Sequence, residues 1–446
     1  MVYRIQEVSE KLQVKKSTIR FWETEFSDIV RPKRTNGGQR RYSEQDISNL
    51  HKIENLLYHK NRTIAQARNI LQTGNADVGK IDWTKQSILI TGGTGSFGKH
   101  FCKIMLEKYH PKVIRIYSRD ELKQHEMRQK FGEEKLRYFI GDVRDVERLK
   151  RAMEGVDIVV HAAALKQVPA CEYNPFEAVK TNIHGAQNII DAAIDAGVKK
   201  VIALSSDKAV NPVNLYGATK LCSDKIFIHG NSYAGQKRTR LSCVRYGNVI
   251  GSRGSVIPLF MQQKKNGRIT ITDERMTRFW ITLDQAVELV INAFCLMQGG
   301  EIFVPKIPSM KVTDLAKAVA PECKIEVIGI RPGEKIHEVL ITEEDGRNTV
   351  AHNGIYVIMP NYSWWERENY KKSQKLPEGF VYTSNTNDEW LDVEDLRRIV
   401  YESSTVEEDP ASGLLSTIHQ LNEKVILNML NSEECIPERS SPLTVF

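Results

Sequence analysis

Tyr216 and Lys220 stand four residues apart in the run Tyr216-Gly217-Ala218-Thr219-Lys220, and Ser206-Asp207-Lys208 lies just upstream. On a helix the side chains of a Tyr-x-x-x-Lys pair share one face, a turn apart. An ammonium beside a phenol favours the phenolate, so Lys220 is expected to lower the pKa of Tyr216 and make it a base near neutral pH. The spacing alone is common and usually marks an ordinary amphipathic turn. Here it has company. Thr91-Gly92-Gly93-Thr94-Gly95-Ser96-Phe97-Gly98 follows the apolar run Ile88-Leu89-Ile90 further upstream. Asp207 and Lys208 add an acid and a base that a simple oxidation does not need.

A glycine-rich turn between a strand and a helix lets the backbone close on a pyrophosphate at the helix N-terminus. Gly92, Thr94, Gly95, Ser96, Phe97 and Gly98 are therefore candidate cofactor contacts. The second strand ends in Ser118-Arg119-Asp120-Glu121-Leu122-Lys123. A site for NAD usually puts a carboxylate at this tip to bind the ribose hydroxyls. Ser118 and Arg119, with Lys123 close by, suit a 2′-phosphate instead, so NADP is the expected cofactor. Asp142 and Val143, after the third strand, are placed to receive the adenine, although Asp142 would serve equally as a helix cap.

The elements that must position these groups are legible in the same chain. Apolar runs at 87–91, 113–117, 158–161, 201–205 and 242–246 alternate with helical stretches, as in a parallel sheet covered on both faces. The expected fold is α/β: a Rossmann-type doubly wound parallel sheet with a substrate lobe after residue 250. A small, mostly α winged-helix domain precedes it. Residues 1–75 read as that head, 76–84 as a linker, 85–400 as the enzyme and 401–446 as an acidic tail with one amphipathic segment at 414–430.

Charge follows this division. The chain has 446 residues and a net charge of +7. Residues 1–75 hold 14 Lys and Arg against 8 Asp and Glu, a net of +6, and the last 46 residues hold 2 against 8. An anionic partner is thus expected at the head. The seven cysteines are scattered without a C-x-x-C, which points to reduced thiols and no metal site. No apolar run reaches the ~20 residues of a membrane span, and no secretory signal opens the chain, so a cytoplasmic protein is expected.

Taken together, residues 83–400 resemble the extended short-chain dehydrogenase/reductases. Within them they look most like the inverting UDP-N-acetylglucosamine 4,6-dehydratases of pseudaminic acid biosynthesis. The blocks that carry the likeness are the glycine loop, His161-Ala162-Ala163-Ala164-Leu165-Lys166, the Ser205 to Lys220 stretch, Arg245-Tyr246-Gly247-Asn248-Val249, Thr277-Arg278-Phe279-Trp280 and Arg331-Pro332-Gly333-Glu334-Lys335-Ile336-His337-Glu338. The retaining relatives generally have Met where Tyr216 stands, and dehydratases that keep the C5 configuration often have Glu where Lys208 stands. The soluble, inverting branch is the better match.

The resemblance implies UDP-GlcNAc as substrate, a homo-oligomer, and roles for residues. Tyr216, lowered by Lys220, takes the 4-hydroxyl proton, and Ser206 hydrogen-bonds the same oxygen. Lys208 is the C5 base and Asp207 the acid at the 6-hydroxyl. Ala162, Thr181, Tyr216 and Lys220 join the cofactor site. Lys166, Asn248, Val249, Arg253, Arg278 and Arg331 are candidate substrate contacts. His161 and His337 read as packing residues.

A second resemblance covers residues 1–75, which look like the DNA-binding head of MerR regulators, through Thr18-Ile19-Arg20-Phe21-Trp22-Glu23 and Gly38-Gln39-Arg40-Arg41-Tyr42-Ser43. It implies duplex DNA as a partner. Ser17, Thr18 and Arg20 would open a recognition helix, with Ser17-Thr18 as its N-cap, and Arg40, Arg41 and Tyr42 would grip phosphate from a wing. A competing reading is a transcription regulator that uses the reductase fold as a ligand or redox sensor, but a sensor has no need of Asp207, Lys208 and Tyr216 together. Lys208 also weakens a third reading, a sugar-nucleotide epimerase.

Overall fold

The computed structural model describes residues 2–406 apart from 13, 36–37, 60–63, 65–66, 69–70, 72–80, 236–238, 251–255, 363–364, 366–367 and 372; side chains at 58–59 and 401–406 are not described. Most of the expected linker, the 414–430 segment, most of the acidic tail and Arg253 lie outside the described residues.

Ten strands form the main sheet: β1 (Ser87–Thr91), β2 (Val113–Ser118), β3 (Leu136–Ile140), β4 (Ile158–His161), β5 (Lys200–Ser206), β6 (Arg240–Tyr246), β7 (Ile302–Pro305), β8 (Thr349–His352), β9 (Ile355–Ile358) and β10 (Gln374–Lys375). Their order across the sheet is β10-β8-β9-β7-β6-β5-β4-β1-β2-β3. The seven strands from β3 to β7 are parallel, and β9, β8 and β10 add on antiparallel. Every residue of β1 and of β4 is buried. That is why these strands read as unbroken apolar runs: helices cover both faces, so no position is left for alternation.

The chain steps outward from β1 to β3 and returns to β4 on the other side of β1. Strand direction is shared, so a crevice opens at the carboxyl ends of β1 and β4, the point at which such sheets bind ligands. Ile88 sits beside Ile114 on one side and Ile158 on the other, and the core around them continues through Val160, Val201, Val244 and Phe303. A second, smaller core holds Ile250, Phe260, Trp280, Leu315 and Leu396. It lies under a small sheet of Asn248–Val249, Thr277–Ile281 and Ser309–Lys311.

The N-terminal residues build a third core from Val8, Leu12, Ile19, Trp22, Phe26, Tyr42, Ile47 and Leu50. Helices Ile5–Leu12 and Lys16–Glu25 are followed by strands Lys33–Arg34 and Arg40–Ser43 and helix Glu44–Glu54. Ser43 closes a capping box with Asp46, as its position before the helix suggests. The second helix departs from expectation. It starts at Lys16 with extended Lys15 before it and no side-chain cap, so Ser17 and Thr18 lie inside its first turn. Among the described residues no helix is long and apolar enough to cross a membrane.

Candidate active site

The site starts where β5 runs out. Ser206 is its last residue, Asp207–Ala209 make a single 3-10 turn, and helix Leu215–Gly230 begins after Asn214, whose side chain caps the Gly217 N–H at 2.8 Å. The Ser206 hydroxyl donates to Asp207 Oδ1 (2.8 Å) and accepts from the Lys208 N–H (3.2 Å). This places Tyr216 and Lys220 on the helix and the acid–base pair on the turn, side by side.

Lys208 is the hub. Its Nζ lies 3.0 Å from Asp207 Oδ1, 3.4 Å from Glu338 Oε1 and 3.2 Å from Asn248 Oδ1. Asp207 and Glu338 are buried, whereas 24% of the Lys208 side chain remains open to solvent. Burial alone would lower the Lys208 pKa, but the two carboxylates outweigh it and hold the ammonium above the ordinary lysine value. Asp207 moves up, chiefly because it is buried, with Lys208 opposing and Glu338 adding. Glu338 would also rise on burial, but Lys208, Arg278 and Lys335 bring it down to about 2. In the resting site Lys208 is therefore an ammonium.

Tyr216 corrects the sequence reading. Burial pushes its pKa up to about 12, and the cation that works against this is Lys208, not Lys220. The Lys220 ammonium donates to the Leu204 carbonyl (2.7 Å), and desolvation lowers its own pKa. The neighbouring turn thus supplies the charge that the one-turn spacing assigns to Lys220.

Of the expected substrate contacts, Asn248 and Arg278 enter the cluster. Arg278 Nε is 3.7 Å from Glu338 Oε1, and its Nη1 donates to the carbonyls of Thr277 (2.8 Å) and Ile336 (3.0 Å). Val249 pairs with Ile281 and packs on the main core. Lys166 lies exposed on the loop after β4. Arg331 is 56% exposed and faces Glu334. From the same run the structure brings in two residues that sequence reasoning passed over, Lys335 and Glu338. The Lys335 Nζ donates to the carbonyls of Val210 (2.7 Å) and Asp207 (3.3 Å) and lies 3.3 Å from Glu338 Oε2. The run itself was the available signal. Nothing in it distinguishes the exposed arginine from the buried glutamate.

On the cofactor side the glycine loop closes as tightly as glycine permits. A Cβ on Gly92, at φ +64°, would lie 2.9 Å from the Ala163 nitrogen, and one on Gly98 would lie 2.4 Å from the Gly93 oxygen. Thr94 is buried, Phe97 stacks on Phe101, and helix Ser96–Ile104 opens at Gly95 with no side-chain cap. Ala162 bonds to Thr91 beside this turn. Buried Thr181 has no hydrogen-bond partner for its hydroxyl in this structure. These residues fit a dinucleotide, whose pyrophosphate the loop would hold.

At the ribose end, Ser118 is buried and accepts from Gln124 (3.0 Å). Arg119 is 56% exposed, 3.7 Å from Asp142. Asp120 caps helix Glu121–Phe131 and pairs with Lys123, and Leu122 is exposed. Asp142 is not a helix cap: Arg144 holds it, and Asp145 caps the next helix. Val143 is buried against Gly185. His161 is a buried packing residue bonded to Thr91 (2.8 Å).

The head also needs a correction. Tyr42 is fully buried and donates to Glu23, which Arg40 Nε also meets at 2.5 Å. Tyr42 is therefore turned away from phosphate, and Arg40, partly exposed, is paired with Glu23. Residues 40 and 42 share one face of their strand, where Tyr42 packs in the core and Arg40 meets Glu23 at its edge. Ser17 and Arg20 are exposed, with Thr18 and Arg41 half-buried.

A parallel sheet in this order, with a glycine loop after its first strand and a Tyr-x-x-x-Lys helix after its fifth, is the architecture of an extended short-chain dehydrogenase/reductase. Residues 88–360 match the model of the family described as polysaccharide biosynthesis protein, and residues 3–74 match that of the MerR HTH family regulatory proteins. A UDP-N-acetylglucosamine 4,6-dehydratase (inverting) of Campylobacter jejuni is 55% identical over 327 residues, 71% of this chain and 98% of that protein. A UDP-glucose 4-epimerase of Rickettsia akari is 43% identical over 337 residues, 73% of this chain and 98% of the relative. The X-ray structure of Pen from Bacillus thuringiensis superposes with a TM-score of 0.67 at 39% identity, covering 73% of this chain and 99% of that one. The chain belongs to the polysaccharide biosynthesis protein family of extended short-chain dehydrogenase/reductases.

Proposed function

We propose that the protein is a 4,6-dehydratase, a hydro-lyase, that converts UDP-GlcNAc to a UDP-4-keto-6-deoxy-hexosamine with inversion at C5. One observation carries the reading: a phenol placed to take an alcohol's proton lies beside a separate acid–base pair, Asp207 and Lys208. An epimerase needs the first and not the second. The 55% identical relative bears the name of this reaction.

The C5 proton of a hexose becomes acidic only when C4 is a ketone. NADP is the cofactor we infer from Arg119 and Lys123; when bound, it accepts the C4 hydride and returns it to C6. Tyr216 takes the 4-hydroxyl proton as its phenolate, the form that Ser206 and the positive charge of Lys208 favour against burial. Lys208 then passes its own proton across the hydrogen bond to Asp207, leaving an amine and a carboxylic acid. The amine removes the C5 proton while Asp207 protonates the departing 6-hydroxyl, which leaves as water. As C6 is reduced, Tyr216 returns its proton to C5 from the face opposite Lys208, which inverts that centre, so that Lys208, Asp207 and Tyr216 all end in their starting charge states. Asn248 orients Lys208, and Lys166, Val249, Arg253, Arg278 and Arg331 are the proposed surroundings of the sugar diphosphate.

The test is incubation of the purified protein with UDP-GlcNAc in D2O, followed by NMR. A 4-keto-6-deoxy product with deuterium at C5, inverted coupling constants there and no net NADPH supports the reading. A 4-epimer, or stoichiometric NADPH, rejects it.

The head supports a second activity in the same chain. We propose that Ser17, Thr18, Arg20 and Arg41 contact duplex DNA and that a homo-oligomer of the enzyme brings two heads onto one operator. UDP-GlcNAc and NADP are cytoplasmic metabolites, and we place the reaction there.

A further inference from the structure

We infer that Glu338 is the positioning residue of the acid–base centre: it clamps Lys208 against Asp207 and sets the pH above which Lys208 loses to solvent the proton it must pass to Asp207. The inference rests on the dehydratase reading above and assigns a role to a residue outside the Ser206 to Lys220 stretch.

The geometry comes first. Glu338 keeps only 4% of its side chain exposed and meets three cations. Oε1 lies 3.4 Å from Lys208 Nζ and 3.7 Å from Arg278 Nε, and Oε2 lies 3.3 Å from Lys335 Nζ. Its backbone is held from both directions. The Glu338 N–H donates to Ser384 Oγ (2.9 Å), its carbonyl accepts from the Ser384 N–H (2.8 Å), and Ser384 Oγ meets Thr277 Oγ1 at 2.7 Å. The preceding loop is strapped to the catalytic turn by Lys335 on the Asp207 and Val210 carbonyls and by Asn214 on the Gly333 carbonyl (2.8 Å). A buried carboxylate fixed this firmly is a point of reference for the groups around it.

Charge then decides the consequence. The groups facing Lys208 are Asp207 and Tyr216 from its own turn and the following helix, Arg278 and Asn248 from the small sheet, and Glu338, with Lys335 beyond it, from the loop. Fully ionised, the cluster holds Asp207 and Glu338 against Lys208, Lys335 and Arg278. Each ion is tolerable only because the others are present. Neutralising Glu338 leaves three cations around a single carboxylate. The Lys208 ammonium is then less favoured, and Lys208 loses its proton at lower pH. Neutralising Lys335 does the reverse.

The experiment uses the full chain with UDP-GlcNAc, measuring kcat and KM from pH 5 to 10 for wild type, Glu338→Gln, Glu338→Asp and Lys335→Gln, with circular dichroism as a check on folding. The wild type must form the 4-keto-6-deoxy product; if it forms none, the dehydratase reading fails before any variant is compared. In Glu338→Gln the alkaline, falling limb of kcat should move about one pH unit or more to lower pH. The kcat maximum should drop about tenfold or more with KM changed less than about threefold, because the reacting groups are misplaced and substrate binding is not. Glu338→Asp keeps the charge, so its limb should stay near the wild-type position at reduced kcat. Lys335→Gln should move the limb to higher pH, and it reads the same clamp if Glu338→Gln does not fold. A limb fixed at the wild-type pH in whichever of the two Gln variants folds overturns the inference. So does equal displacement in Glu338→Gln and Glu338→Asp.

Discussion

The carbonyl oxygen of Lys208 lies 2.2 Å from the point where a Cβ on Gly217 would begin. The turn that carries the acid–base pair and the helix that carries the phenol touch there, backbone to backbone. Gly217→Ala must push them apart. The cost should be about 1–3 kcal/mol, the usual range for overpacking, and turnover should fall about tenfold or more as Tyr216 and Lys208 lose their mutual placement. Thermal unfolding and kcat measured on the same preparation check this. Unchanged turnover would show that the contact does not set the geometry.

Tyr216→Phe and Lys208→Ala should each lower kcat about a hundredfold or more, the lower end of what general acid–base groups contribute. Tyr216→Phe keeps the ring, and the fold should survive it. Lys208→Ala strips the shared cation from Asp207 and Glu338, so it should also lower the melting temperature. Steady-state rates together with differential scanning calorimetry separate the two effects. A near-normal rate in either variant removes that residue from the mechanism.

Arg119 should discriminate between the two dinucleotides. Its side chain is 56% exposed and only loosely engaged with Asp142 at 3.7 Å, so it can turn to a 2′-phosphate at little cost. Lys123 is already paired with Asp120 and contributes less. Arg119→Ala should weaken NADP about tenfold, the worth of one charge-assisted contact, and leave NAD within about twofold. Calorimetric titration with both dinucleotides is the measurement. Equal losses would mean that Arg119 does not read the phosphate.

The sheet was legible because strands buried on both faces have no polar alternation to obscure them. All five apolar runs coincide with observed strands to within two residues at each end. The glycine loop and the Ser206 to Lys220 stretch were legible because backbone geometry fixes their residue types. Glu338 was not. Its loop mixes Arg331, Glu334, Lys335 and Glu338, and only tertiary contact selects which charge goes inside. The head shows the same limit on a smaller scale. Arg40-Arg41-Tyr42 reads as one basic wing, yet strand alternation turns residues 40 and 42 to Glu23. The Tyr216–Lys220 spacing was legible, but not the hydrogen bond to Leu204 that commits Lys220 elsewhere.

His161 should make stability fall in mild acid. It is buried against Thr91, and burial, with Lys220 adding, lowers its pKa to about 3. A histidine in the unfolded chain titrates near 6.5. Below that pH the unfolded state takes up a proton that the folded state refuses, so the contribution is full above about 6.5 and drains away toward about 3. His161→Gln should flatten this part of the curve by one proton. Urea midpoints at a series of pH values between 7 and 4 test it; identical slopes in the two proteins would place the acid sensitivity elsewhere.

The head should bind duplex DNA through the exposed start of helix Lys16–Glu25. Lys16, Ser17 and Arg20 are exposed there, while Ile19 and Trp22 are buried beneath them. With a net charge of +6 over residues 1–75, affinity must depend on phosphate contacts and fall steeply with salt. A gel shift of the full chain on its own upstream region, titrated with salt, gives the slope. Arg20→Ala should lower affinity several-fold and reduce the slope by about one, as expected for one lost phosphate contact. Arg40→Ala should leave the slope unchanged, because Arg40 is engaged with Glu23, and should lower stability instead. If Arg40→Ala reduces the slope and Arg20→Ala does not, the wing and not the helix grips the backbone. If the full chain gives no retardation even at low salt, the head does not act on DNA.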